Sequence, residues 1–110
     1  MLESIEWARA QGNRLTLVEL LRMRGMVSAW RLRWDEAERA FEEAVSVARS
    51  VRYPYAEARS LYEWGLMHAG KADLKQGLDR LEAAAEIFRG LGSRPYCDLT
   101  QKAMADLRSD

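Results

Sequence analysis

Apolar positions recur at steps of three and four along nearly the whole chain. Between Leu15 and Trp30 they fall at Leu17, Val18, Leu20, Leu21, Met26 and Val27; after a break near Leu32 to Asp35 they resume at Ala37, Ala40, Phe41, Ala44, Val47 and Ala48. That spacing lays an apolar stripe along an α-helix, and no stretch alternates apolar with polar residues as a half-buried strand would. Punctuation places the other elements. Residues 2 to 11 read as a first helix stopped at Gly12 and Asn13; Pro54 suits a first helical turn, and its helix runs to about Ala69 with Gly70 as its end. Asp73 caps the next helix, which closes near Gly90 to Gly92, and Pro95 opens a last one to about Arg108. About six helices with short links leave no domain boundary, so residues 1 to 110 read as a single all-α domain.

The pattern repeats. At an offset of 40 residues Gly25 meets Gly65, Ala37 meets Gly77, Phe41 meets Leu81 and Ala44 meets Ala84, while Leu21 meets Leu61, Met26 meets Leu66, Trp34 meets Leu74 and Val47 meets Ile87. Two full units, about 14–52 and 54–92, carry a half unit at each end, and Trp7 falls in register with Val47 and Ile87. Each unit is two helices. Gly25, Ala37, Ala44, Gly65, Gly77 and Ala84 are small where paired helices must cross closely, and Phe41, Leu81, Leu21, Leu61, Trp34 and Trp64 fill the space around them. No unit buries its faces alone, so neighbours are expected to stack.

The run Gly25, Ala37, Phe41, Ala44, echoed by Gly65, Gly77, Leu81, Ala84, resembles the signature of tetratricopeptide repeats. The resemblance covers nearly the whole chain, with two departures: the period is 40 rather than the usual 34, and the aromatic expected three residues after the first Gly is Ser28 in one unit and His68 in the other. The lengthened form is similar to the C-terminal repeat arrays of bacterial transcription regulators of the LuxR and MalT type and related signalling ATPases. The resemblance implies an antiparallel helix-pair solenoid wound as a right-handed superhelix, whose first helices line a concave groove for a peptide or protein. By register the groove positions are Glu19, Arg22, Met26 and Trp30 in the first unit and Arg59, Tyr62, Glu63 and Leu66 in the second. Arg22 and Arg59 could fork onto a carboxylate while Met26, Tyr62 and Leu66 offer apolar contact; Glu19 with Arg22 and Arg59 with Glu63 are also spaced as ordinary helix-surface pairs. The expected role is an interaction or sensor scaffold, as a segment of a signalling or transcription regulator. The alternative is a structural module that assembles with copies of itself, because Trp7 and the face of Leu99, Ala103 and Leu107 would be partly uncovered at the ends of the stack.

Charge and chemistry narrow this further. The 17 Lys plus Arg balance 17 Asp plus Glu, split 9 to 8 over residues 1–55 and 8 to 9 afterwards, so no direct nucleic-acid or membrane binding is expected. Arg22, Arg24, Arg31 and Arg33 interleave with Trp30 and Trp34, yet helical spacing scatters those arginines over several faces. One cysteine, Cys97, with no basic, apolar and small-residue leader pattern, favours a reducing, cytoplasmic setting. Phosphate loops, zinc-ligand sets and paired histidines are missing, and Cys97 and His68 are the only residues of their kinds. No catalytic, metal or cofactor residues are therefore assigned. His68 is expected to fill the aromatic position between the two helices of its unit, and Cys97 to be a small structural residue early in the last helix. Trp7, Trp34 and Trp64 read as core; Trp30, whose register partner is Gly70, is either a rim residue or a satellite core contact.

Overall fold

The computed structural model describes residues 2–108, and these form six helices: α1 Leu2–Gln11, α2 Arg14–Trp30, α3 Trp34–Ser50, α4 Pro54–Gly70, α5 Leu74–Leu91 and α6 Arg94–Arg108. No strand occurs among the described residues. Five turns link the helices, and all are built alike. A left-handed residue sits at Gly12, Leu32, Arg52, Ala72 and Gly92, one every 20 residues. In each turn the next N–H reaches back to a carbonyl five residues earlier: Asn13 to Ala8, Arg33 to Ser28, Tyr53 to Ala48, Asp73 to His68 and Ser93 to Phe88, at 2.8–3.0 Å. This double closure satisfies the last carbonyls of the preceding helix. Asn13 and Asp73 then cap α2 and α5 by accepting from the Thr16 and Gln76 amides. The 40-residue sequence repeat is thus two 20-residue helix-and-turn modules in the backbone. Gly70, expected to end α4, is its last helical residue, and the turn period puts the left-handed position two residues on, at Ala72.

Consecutive helices pack as hairpins, and the crossing points are where the small residues stand. A methyl group added at Gly25 would lie 2.6 Å from the Phe41 ring, and one added at Gly65 would meet Leu81 at 2.8 Å and the Gly77 carbonyl at 3.0 Å. Ala37, Ala44 and Ala84 are completely buried there, as is Leu81, and Phe41 is nearly so. Beyond the hairpin contacts, the backbones of α2 and α4 and of α4 and α6 approach closely, whereas among the described residues those of α1, α3 and α5 do not; these are linked by side chains, Arg9 to Glu43 and Glu38 to Arg80. The six helices therefore form two layers in a body of 44 × 32 × 18 Å, with the α2, α4, α6 layer drawn together as the inner face.

The two ends of the stack differ in chemistry. Val18, Leu21, Gly25 and Ser28 of α2 are buried, as are Ala58, Leu61, Gly65 and His68 of α4. At the equivalent positions α6 carries Asp98, Gln101, Ala105 and Arg108, all exposed. This is the polar outer face of a terminal helix. Of the apolar face expected to be uncovered there, Ala103 and Leu107 pack on Leu81, Ala85 and Met104, and only Leu99 is exposed. At the other end Trp7, expected in the core, is 57% exposed. The reason is positional: Ile5 and Ala8 of α1 turn onto α2, and Trp7, on another face of α1, is left uncovered by the described residues. Trp64 is buried, and Trp34 is half-buried against the same core cluster.

Candidate partner groove on the inner layer

The eight register-derived groove residues lie on α2 and α4, and seven of them divide into two neighbouring sets. The first lines a pocket. Met26 and Trp30 from α2 face Glu63 and Leu66 from α4 across a cavity of about 220 Å³, closed by Ala29, Trp34, Phe41, Met67 and Gly70. Trp30 is 77% exposed, which places it at the rim and not in a satellite of the core; Gly70 opposite leaves the room that a side chain there would fill. The volume is below that of a drug-sized ligand site and suits one side chain.

The second set is polar. Arg22, only 9% exposed, pairs with Glu19 at 2.8 Å and leans on the Met26 sulfur at 3.6 Å. Arg59 does not pair with Glu63, as helix spacing alone allowed; it bonds the Tyr55 hydroxyl at 3.3 Å and lies 4.9 Å from the centre of the Tyr96 ring. Tyr55 and Tyr96 meet edge to face with centroids 5.8 Å apart, tying α4 to α6. Glu63 of the first set has its carboxyl held above the usual range by burial, against the opposing pull of Arg22 and Arg59. Tyr62 belongs to neither set: it packs against the cluster of Leu81 and Ala85 of α5 and Met104 of α6. Register reasoning missed Tyr55 and Tyr96 because they stand 41 residues apart, one off the repeat, and their contact arises only from stacking.

On the far side of α4 a buried polar cluster joins the two units. His68 stacks on Trp64, with its Nε2 3.1 Å from a Glu38 carboxylate oxygen and its Nδ1 3.9 Å from Asp73. Neither contact has hydrogen-bond geometry. The Trp64 indole N–H donates to the same Glu38 oxygen at 3.1 Å, and the Arg80 guanidinium carbon lies over the Trp64 ring, 4.1 Å from its centre. Burial lowers the His68 pKa first; Arg80 and Lys71 add to this, and Glu38 and Asp73 oppose it. His68 thus fills the space between α4 and α5 and reaches α3 as well. Cys97 sits early in α6, in a cavity with Phe88, Arg89 and Asp98 that contains no histidine.

The arginine-rich segment is less scattered than its spacing suggested. Arg24, Arg31 and Arg33 share a cleft of about 550 Å³ beside α1, because the α2–α3 turn folds Arg31 and Arg33 back towards Arg24. Glu3 and Glu36 line the same cleft, so its charge is nearly balanced. No group of metal-ligating side chains is found among the described residues, and no described helix is long and apolar enough to cross a membrane. No family model, curated protein or solved structure matches the chain, so the site is read from its own geometry.

Proposed function

We propose that this chain is a tetratricopeptide-like interaction module that holds a peptide segment of a partner protein in the groove between α2 and α4. The single observation that carries the reading is the pocket of Met26, Trp30, Glu63 and Leu66, an apolar recess with one acidic group, open on the inner layer. Trp30 stands exposed at the rim of that apolar recess, and aromatic anchors dominate interface energetics. The repeat architecture and the absence of catalytic constellations in the sequence support binding over turnover. A place within a cytoplasmic signalling or transcription regulator rests on the sequence resemblance alone. Trp30→Ala combined with Leu66→Ser alters exposed positions and leaves the crossing points intact. Partner capture from native extract by the parent chain, lost in that folded double variant, supports the groove; equal capture by both removes it.

A second reading is favoured by the N-terminal end. Trp7 with Glu3, Ser4, Thr16 and Leu20 borders an open recess, an apolar patch suited to a second copy of the chain. Because α6 presents a polar face, such a contact joins like ends and closes as a dimer instead of growing head to tail.

A further inference from the structure

We propose that the pocket between α2 and α4 takes a basic side chain, lysine or arginine, from a partner peptide, with Trp30 and Trp34 against its stem and cation and Glu63 as its counter-ion. The inference deepens the groove reading and rests on it.

Charge complementarity carries it. Among the described residues lining the pocket Glu63 alone is ionisable, and its carboxylate makes no hydrogen bond or ion pair with any described residue. The two cations within its electrostatic reach are committed elsewhere: Arg22 to Glu19 at 2.8 Å, and Arg59 to the Tyr55 hydroxyl and the Tyr96 face. Arg59 stands one helical turn before Glu63, at the spacing of an ion pair, and the Tyr55–Tyr96 contact holds it away. A half-buried carboxylate without a partner is unfavourable in the free protein, and a ligand cation relieves that cost. Burial keeps the Glu63 carboxyl above its ordinary range, as expected of an acid lacking a counter-ion. The walls fit the rest of the occupant. Indole faces attract ammonium and guanidinium groups, Met26, Leu66 and Met67 match an alkyl stem, and about 220 Å³ admits one long side chain. An acidic side chain would be repelled, and an aliphatic one would bury Glu63 still unpaired.

A random-peptide phage library selected on the full chain tests this. The expected result is enrichment of peptides bearing a lysine or arginine flanked by apolar residues. Replacing that residue by norleucine, or changing the chain by Glu63→Gln, should weaken binding about tenfold, the worth of one desolvated charge-assisted contact. Glu63→Asp, which keeps the charge, should retain part of the affinity. Selected peptides without a basic residue, or affinity indifferent to Glu63→Gln, overturn the cation pocket; if such peptides still depend on Trp30 and Leu66, the groove reading stands. Failure to select any peptide overturns both.

Discussion

Half-buried Glu63 and buried His68 both have shifted pKa values, and they act on stability in opposite senses. Glu63 has a raised pKa in the fold, so its ionised form costs stability at neutral pH and the cost vanishes once both folded and unfolded states are protonated. Glu63→Gln should therefore raise the melting temperature at pH 7 and leave it unchanged near pH 3; a lower melting temperature at pH 7 would mean Glu63 has a stabilising partner. Peptide binding through its carboxylate should weaken as pH falls, with a midpoint above the ordinary glutamate value of about 4.3. His68 has a lowered pKa, so the folded state resists protonation: its contribution is intact above about pH 6.5, the ordinary histidine value, and is lost as pH falls below it. Urea midpoints should decline from pH 7 to pH 5 in the parent chain and decline less in His68→Gln. Of these two, spacing placed Glu63 on the groove and His68 between helices, but their partners were not legible. Glu38 and Arg80 come from different units and occupy non-equivalent positions, so only the stacked fold brings them to Trp64 and His68.

At the scale of helices and turns, the crossing points and the left-handed turn residues make opposite predictions for glycine. Gly65→Ala brings a methyl group within 3.0 Å of the Gly77 backbone carbonyl, which cannot move aside as a flexible side chain could, and should destabilise by about 1–3 kcal/mol. Leu32 and Ala72 hold left-handed conformations with φ of 58° and 65°, and Ala72→Gly should stabilise by about 0.5–1 kcal/mol, the strain relieved less the chain entropy lost. Chemical denaturation measures both, and a stabilising Gly65→Ala would contradict the close crossing. Helix existence and the 40-residue repeat were legible because the apolar period and the Gly and Ala positions are written directly in the sequence. The 20-residue turn period was not, since three of its five left-handed positions carry Leu32, Arg52 and Ala72 in place of glycine, and the glycine at the end of α4, Gly70, stands two residues before the left-handed Ala72. Trp7 was misplaced for a related reason. Register gave it the environment of Val47 and Ile87, but among the described helices α3 and α5 each pack between two neighbours while α1 packs on α2.

Considered whole, the molecule is a two-layer stack with a polar C-terminal face, an apolar patch at Trp7 and a recess on its inner layer. The patch predicts reversible self-association through α1, weakened by Trp7→Ser, and the polar face of α6 stops it at a dimer; sedimentation showing a monomer at every concentration would remove that reading. The inner recess is the central claim. The most direct test is amide chemical-shift mapping on the labelled chain, titrated with a peptide obtained by selection. The account predicts saturable shifts at Met26, Trp30, Glu63 and Leu66 and at their neighbours on α2 and α4, with the indole N–H signals of Trp30 and Trp34 moving alongside them. Shifts confined to the outer surfaces of α3 and α5, or to α1 alone, would contradict it.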